Sequence, residues 1–466
     1  MKKKFSIIGL LFVFILTSGF GCKLVDQKTT AAMKPITIEY WRVLDGEDSF
    51  AEIIAGYNKL HPFVHINYKK FRLDEYETEL LDAMAEDRGP DLFSIHNTWV
   101  QKYKNKIEPM PAAITMAYPV ETGTIKKEII PELRTTKSIS LAQLKNNFVD
   151  SVFDDVVSPV DNPTTKQPED KVLGLPLSMD TLALFYNHDL FNNAGIAKPP
   201  AFWDKELQQN VKRLTKVDVK GQIIQSGIAL GGSRNIERSA DVLALLMMQN
   251  GAQMSDNGYI TFNIVPAVYK DQRYNPGLEA LRFYSDFANP AKEVYTWSKD
   301  LNNSLDMFIS GNLAMMLGYS YHLPAIKTRA PKLNLGIAPA PQIEGSASTL
   351  NFGNYWVETV SKKSKYTNEA WDFIQFAIKG ENVKSYLAAT KKPSALRALA
   401  AEEVDDPDIG VFASQILTSK SWYRGKNFSA VENIIYDMID NAVLTPTDKL
   451  GEVLNNGARK AQQTIN

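Results

Sequence analysis

Residues 36–41 read ITIEYW, and their alternation of apolar and polar side chains predicts a β-strand that opens the fold. Residues 50–60 then carry apolar side chains at helical spacing, residues 64–68 alternate again, residues 76–84 return to helical spacing, and residues 92–95 form a short apolar run. This order of strand, helix, strand, helix and strand is typical of an open α/β sheet with right-handed crossovers. Such a sheet binds ligands in a crevice beyond the carboxyl ends of its strands.

The chain has 466 residues, with 52 lysines and arginines against 53 aspartates and glutamates and a net charge of −1. A single hydrophobic core stops growing at about 250–300 residues, so we expect two domains or lobes. Because there is no surplus of basic residues, long-range electrostatics would not draw the protein to nucleic acid. We therefore expect a protein that binds no nucleic acid, and we expect it to be a monomer.

The first residues have the pattern of an export signal. Lys2, Lys3 and Lys4 precede an apolar stretch at residues 5–16, and small residues follow it. This order is typical of a secretory signal peptide. The apolar stretch is shorter than the roughly 18–20 residues of a membrane-spanning helix. An extension through residues 18–21 would instead make it a permanent transmembrane anchor, and that alternative stays open.

Cys22 is the only cysteine of the chain, so it cannot form an internal disulfide. The segment before it resembles a bacterial lipoprotein signal with Gly21 at the small position, and it departs from that pattern at Gly19 and Phe20. The resemblance implies that residues 1–22 are a signal ending at a lipid-modified Cys22 and that residues 23–34 are a tether. The exported protein would then be anchored to the outer face of the cytoplasmic membrane, at the cell surface or in the periplasm.

The central region has a less regular pattern. Apolar side chains at helical spacing predict one amphipathic helix over residues 141–156, and the turn-rich residues 159–170 predict a surface loop. Asp154 and Asp155 are typical of solvated loop charges. Residues 174–187 then read GLPLSMDTLALFYN, a mostly apolar extended run that could cross from one lobe to the next.

The chain resembles the extracellular solute-binding proteins of ABC importers, specifically the large group that binds maltose and other sugars. The resemblance covers nearly all of the chain after the signal and implies an α/β protein with the two-lobed periplasmic-binding-protein type II fold. A hinge would join the lobes, and a solute would bind in the cleft between them. The motifs that carry the resemblance, in order, are ITIEYW (36–41), LHP (60–62), GPDL (89–92), residues 174–205, FISGNLAMM (308–316) and NEAWDF (368–373).

The same resemblance implies three crossings of the hinge, near Asp180, near residues 346–351 and around residues 389–393. The predicted N-terminal lobe then comprises residues 35–179 and 348–391, and the predicted C-terminal lobe comprises residues 180–347 and 392–466.

A sugar site needs aromatic rings that stack on C–H faces and planar polar groups that bind pairs of hydroxyls. The ends of the strands and the crossings between lobes are where the resemblance implies such groups. We predict nine ligand-binding residues: Trp41, Asn97, Asp180, Trp297, Tyr319, Tyr321, Tyr355, Trp356 and Trp422.

Most of these candidates have a structural alternative. Trp41 could equally be a core tryptophan, and Asn97 could be an ordinary turn residue. Asp180, at the expected hinge, could accept hydrogen bonds from two sugar hydroxyls or from the backbone. Trp297 and Trp422 could pack within loops of the second lobe.

Relatives commonly have a tryptophan shortly after the motif at 308–316, and its ring often stacks on the sugar. Here Ser320 occupies that position, so Tyr319 and Tyr321 on either side of it become the candidates. Tyr355 and Trp356, which follow a loop rich in asparagine and glycine, are the preferred aromatic candidates.

The sequence contains no P-loop, no HExxH motif and no metal-ligand spacing among its five histidines and one cysteine. We expect no catalysis, no cofactor and no metal. The resemblance implies a lipoprotein that captures a sugar or oligosaccharide and delivers it to the membrane subunits of an ABC importer. Three alternatives stay open: a sensory or adhesive surface protein, a binding protein for a non-sugar solute such as a polyamine, and, less favoured, a glycoside hydrolase.

Overall fold

The computed structural model describes residue 29 and residues 33–122, 128–272, 274–346 and 348–465. The predicted signal with Cys22, and most of the predicted tether, lie outside the described residues. The helices are α1 (Ala51–Leu60), α2 (Leu73–Ala85), α3 (Val100–Tyr103), α4 (Leu141–Asn147), α5 (Asp150–Val156), α6 (His188–Asn193), α7 (Lys205–Leu214), α8 (Ser239–Gln249), α9 (Pro276–Asp286), α10 (Ser304–Ile309), α11 (Leu323–Arg329), α12 (Thr367–Ala377), α13 (Gly380–Thr390), α14 (Arg397–Glu402), α15 (Gly410–Gln415), α16 (Phe428–Leu444) and α17 (Leu450–Gln462). The strands are β1 (Ile36–Val43), β2 (Val64–Phe71), β3 (Leu92–His96), β4 (Ala113–Thr122), β5 (Glu128–Lys137), β6 (Val157–Asp161), β7 (Pro168–Val172), β8 (Asp180–Thr181), β9 (Ala183–Asn187), β10 (Lys216–Val217), β11 (Ile223–Gln225), β12 (Ser255–Asp256), β13 (Tyr259–Ile260), β14 (Met315–Gly318), β15 (Leu335–Pro339), β16 (Asn351–Asn354), β17 (Trp356–Val360) and β18 (Ser419–Lys420).

The sheet of the first lobe has the strand order β2, β1, β3, β17. The first three strands are parallel and are joined by α1 and α2, as the periodicity of residues 36–95 predicted. Strand β17 comes from much later in the chain and is antiparallel to β3, so that Trp356 lies opposite His96. This pairing brings two aromatic residues to the edge at which the parallel strands end.

The sheet of the second lobe is built around β9, which is antiparallel to β14 on one side and to β15 on the other. The residues after β11 extend this sheet, because the amide of Ser226 donates to the carbonyl of Asn312 at 2.9 Å and the amide of Ala229 donates to that of Met315 at 3.0 Å. The motif at 308–316 thus leads from a helix into a central strand of this lobe.

A third, small sheet joins the two lobes. Strand β16 is antiparallel to β8, with Asn354 opposite Asp180, and parallel to β18, with Asn351 opposite Ser419. These short extended segments come from three distant parts of the chain. We refer to these three strands as the hinge, because they connect the two lobes.

Buried apolar side chains form one large cluster in the first lobe and two in the second. The chain changes from the first cluster to the second between Met179 and Leu182, returns between Phe352 and Tyr355, and leaves again after Ala400, although Ile416 still packs in the first. The predicted two-lobed α/β fold is confirmed. The exact lobe bounds predicted from the sequence remain a prediction.

The two predictions for residues 141–170 were wrong in detail. The single helix expected over residues 141–156 is two short helices, α4 and α5, because Phe148 between them has an extended backbone and pairs with Leu396. The expected loop at 159–170 lies mostly in a hairpin of β6 and β7. Strands β4 and β5 form a second, longer hairpin.

Candidate functional site

A cleft with a volume of about 560 Å³ lies between the two lobes, at the edge where β1 and β3 end. Asn354 of the hinge strand β16 lies at its base. The wall from the first lobe includes Leu44, Leu73, Glu77, His96, Trp99 and Trp356, and the wall from the second lobe includes Glu237, Arg238, Tyr321, Phe428 and Glu432.

The ring of Trp356 lies in the first wall and is partly exposed. It makes edge-to-face contacts with Trp99, whose ring centre is 5.6 Å away, with His96 at 5.7 Å and with Tyr76 at 6.3 Å. Edge-to-face packing is a favoured arrangement of aromatic rings. These contacts therefore fix the orientation of a tryptophan that still presents surface to the cleft.

Tyr321 is the aromatic residue of the opposite wall, and 42% of its surface is exposed. Its ring stacks on that of Tyr319, with centres 5.5 Å apart and planes inclined by 24°. Tyr319 has no exposed surface, and its hydroxyl donates to Asp241 at 2.7 Å. Tyr319 thus holds Tyr321 in place from behind.

Arg238 lies beside these tyrosines in the left-handed conformation, with φ of 57°. Its guanidinium donates from Nε to Asp241 at 2.8 Å, and its Nη1 lies 3.5 Å from Glu432. Leu44, at the end of β1, is also left-handed, with φ of 67°, and is 43% exposed. Such conformations cost about 1–3 kcal/mol for residues other than glycine and concentrate at functional sites.

His96 connects the cleft to the hinge. Its Nε2 lies 3.2 Å from the side-chain oxygen of Asn354, and its Nδ1 lies 2.7 Å from the hydroxyl of Thr98. Burial, with a further contribution from Arg238, lowers the pKa of His96 to about 4. The imidazole is therefore neutral at physiological pH and adds no charge to the cleft.

A second chamber of about 510 Å³ shares Leu44 and Tyr321 with the first. Lys392 lies 2.5 Å from Asp45 and Lys327 lies 2.6 Å from Asp408, and Lys391 lines the same chamber. The two chambers are neighbours, because Leu44 and Tyr321 line both of them. Facing aromatic rings with a few hydrogen-bonding groups are the features of a small-molecule site.

Behind the cleft, the carboxylate of Asp155 links the two lobes. It accepts from Asn97 at 3.0 Å and from the hydroxyl of Tyr355 at 2.7 Å, both in the first lobe. It also accepts from the hydroxyl of Ser421 at 2.6 Å and pairs with Arg424 at 3.0 Å, beyond the hinge. The expectation of a solvated loop charge was wrong for Asp155, which is 3% exposed.

Of the nine predicted ligand residues, the structure brings Tyr321 and Trp356 into the wall of the cleft, with Tyr319 directly behind Tyr321. Asn97 and Trp422 line a very small cavity of about 10 Å³ behind the cleft.

The other four are buried. Asp180 lies in the hinge, where its carboxylate accepts from Ser320 at 2.7 Å and where burial raises its pKa to about 6. Tyr355 donates to Asp155. Trp41 packs on Phe71 with ring centres 4.5 Å apart, and Trp297 has no exposed surface and donates from Nε1 to Asn235 at 3.1 Å.

The sequence reasoning missed most of the lining residues that the structure brings together, among them His96, Trp99, Glu237, Arg238, Phe428 and Glu432. Trp99 could have been predicted from the sequence, because it follows the predicted Asn97 by two residues. The charged residues have no such signal, because glutamate and arginine in loops and helices are ordinary surface residues.

No helix in the described part of the chain combines the length and the apolar character needed to cross a membrane. No group of His, Cys, Asp and Glu side chains among the described residues is arranged to hold a metal ion.

Curated relatives match most of this chain. The multiple sugar-binding protein of Streptococcus mutans is 23% identical over 397 residues, which are 84% of this chain and 83% of that protein. The sn-glycerol-3-phosphate-binding periplasmic protein of Salmonella typhimurium is 26% identical over 79% of this chain and 76% of its own length. The names of both relatives describe binding proteins.

Solved structures share the fold at low sequence identity. A cyclo/maltodextrin-binding protein complexed with maltotetraose has a TM-score of 0.68 and 17% identity, and the match covers 93% of this chain and 98% of that one. The sugar-binding protein MalE of Xanthomonas citri has a TM-score of 0.66 and 18% identity, with 92% and 97% covered. The predicted periplasmic-binding-protein type II fold is thereby confirmed.

A sequence model of one family matches residues 44–384. This range includes β3, the hinge strands β8 and β16, and the cleft residues Trp99, Tyr321 and Trp356. The match therefore spans most of the two lobes and the cleft between them. The chain belongs to the family of bacterial extracellular solute-binding proteins.

Proposed function

We propose that this protein captures a carbohydrate in the cleft between its lobes and delivers it to the membrane subunits of an ABC importer. The observation that carries the proposal is the pair of facing aromatic residues, Trp356 and Tyr321, on opposite walls of an open groove. Aromatic rings bind the C–H faces of sugars, and the flanking polar groups suit hydroxyls. The sugar-binding relative from Streptococcus mutans supports this solute class.

Capture requires no chemistry from the protein itself. A solute that touches both walls binds the closed state better than the open one, and this difference in affinity shifts the population toward closure. The closed shape would then be the form that the membrane subunits bind. We place the bending in the hinge strands β8, β16 and β18, and we expect the protein to act as a monomer without enzymatic activity.

Thermal unfolding of the chain from Lys23 onward tests the proposal. We expect one or more mono- or oligosaccharides to raise the unfolding temperature, because a ligand at 100 times its dissociation constant adds about 2.7 kcal/mol to the free energy of unfolding. Polyamines, amino acids and glycerol phosphate complete the panel. Stabilisation by one of these alone would overturn the carbohydrate assignment, as would release of hydrolysis products from a bound oligosaccharide.

We further propose that Cys22 carries the lipid that holds the protein at the membrane. The single cysteine after an apolar segment supports this, and two acyl chains suffice for stable anchoring. Replacing the residue, Cys22→Ser, removes the thiol to which the lipid attaches. We expect the variant to move from the membrane fraction to the soluble fraction and to lose incorporation of labelled fatty acid.

The matched control is Ser18→Ala, which changes the same segment and keeps the thiol. A Cys22→Ser protein that stays in the membrane fraction would show that the apolar segment at residues 5–16 is the anchor.

A further inference from the structure

The second wall of the cleft carries more negative than positive charge. Glu237, Glu432 and Arg238 line this wall, and the guanidinium of Arg238 contacts both Glu432 and the buried carboxylate of Asp241. Together with Asp241 this makes three carboxylates against one guanidinium, and the ring of His322 lies 3.9 Å from Glu237. Because His96 across the cleft is neutral, it does not compensate for this excess.

Arg238 is already occupied by protein carboxylates. Its Nε and Nη2 contact the same oxygen of Asp241 at 2.8 and 2.7 Å, and its Nη1 faces Glu432 at 3.5 Å. An anionic solute would have to compete with both carboxylates for this guanidinium. Arg238 therefore organises the wall and does not offer a free positive charge to a ligand.

The first wall is balanced, so it does not cancel the excess. Glu77 lies 2.6 Å from Lys102, and Asp74 lies 2.9 Å from Arg72. On the second wall, Glu237 accepts from Asn303 at 2.9 Å, and interactions with His322 and Asn303 lower its pKa below the usual range of glutamate. Glu237 is therefore charged at neutral pH while it lines the cleft.

The aromatic residues of the cleft add to this preference for positive charge. Trp99 and Trp356 lie on the first wall, and Tyr321 lies beside Glu237 and Arg238 on the second. The face of an aromatic ring attracts a cation within about 6 Å of its centre. A groove that combines such rings with an excess of carboxylates is complementary to a sugar that carries a protonated amine.

On this basis, and resting on the proposed function above, we propose that the solute is an amino-sugar glycan with at least one free amino group, held between Glu237 and the aromatic rings of the cleft. The amine would donate to the Glu237 carboxylate, and its sugar ring would lie against Trp356. The second chamber, which shares Leu44 and Tyr321 with the first, would hold the remaining sugar units.

The test compares matched pairs of oligosaccharides by titration calorimetry. Glucosamine and galactosamine oligomers are measured against their N-acetylated forms of equal length, at a mildly acidic pH that keeps the amines charged. We expect the free-amine form of one pair to bind about tenfold more tightly than its acetylated form. We expect the difference to shrink as salt is added, because salt screens the charges.

The variant Glu237→Gln keeps the shape of the side chain and removes its charge. We expect it to reduce the ratio of the two affinities about tenfold. Glu432→Gln provides a second variant on the same wall if the first does not fold. Glu293→Gln is the control, because Glu293 lies in the same lobe, is highly exposed and pairs with Lys212 outside the cleft.

The outcomes separate this inference from the proposed function. Equal binding of amine and acetylated forms, tighter binding of an acidic glycan, or binding of neutral sugars only would overturn the inference and leave carbohydrate capture standing. Failure of every carbohydrate to bind would overturn both.

Discussion

Replacing the cleft tryptophan, Trp356→Ala, weakens binding of the solute by about thirtyfold, which corresponds to about 2 kcal/mol for a central aromatic contact. The ring is partly exposed to the cleft and is held by Trp99 and His96, so it meets a ligand in a fixed orientation. Titration calorimetry with the first stabilising sugar measures the loss.

The substitution also removes packing inside the first wall, so folding has to be measured separately. Trp356→Phe keeps a ring at this position and is expected to retain most of the affinity. Tyr259→Ala removes an aromatic residue that is 68% exposed in a hairpin of the second lobe, away from the cleft, and is expected to bind like the unchanged protein. Unchanged affinity in a folded Trp356→Ala protein would show that this ring does not contact the solute.

Asp155→Ala destabilises the protein by about 3 kcal/mol, because it removes the carboxylate to which several buried groups now donate. These are the side-chain amide of Asn97, the hydroxyl of Tyr355 and the hydroxyl of Ser421. Arg424 loses its ion pair with Asp155 as well. Urea unfolding followed by circular dichroism measures the change in the free energy of unfolding.

The neighbouring Asp154 provides a matched control. Its side chain is exposed, and its backbone carbonyl, which accepts from Arg424, is retained in Asp154→Ala. We expect this variant to stay within about 0.5 kcal/mol of the unchanged protein. If Asp155→Ala lowered the free energy of unfolding no more than Asp154→Ala does, the contacts of Asp155 between the lobes would contribute nothing to stability.

Elements with local periodicity were predicted well. Strand β1, helix α1, strand β2, helix α2 and strand β3 follow from apolar spacing within residues 36–95, because each buries one face against the same core. The break between α4 and α5 was missed because it depends on the pairing of Phe148 with Leu396, which is far away in the sequence.

For the site, the aromatic motifs led to Trp356 and Tyr321 but did not distinguish them from Trp297. All three lie in polar or glycine-rich surroundings in the sequence, yet Trp297 has no exposed surface while 42% of Tyr321 is exposed. Exposure depends on what the rest of the chain places around a ring, and for Tyr321 that includes residues of both lobes.

The residues of the chain alone determined the alternation of strands and helices, and their ordered motifs pointed to the family, because both depend on local spacing. Only the tertiary structure decided which aromatic rings face the cleft, and only it placed Arg238 beside Glu432 and Asp155 between the lobes. Glu432 is distant in sequence from Arg238, and the contacts of Asp155 join distant segments across the hinge. A side chain's burial, charge partners and pKa are set by its neighbours in space.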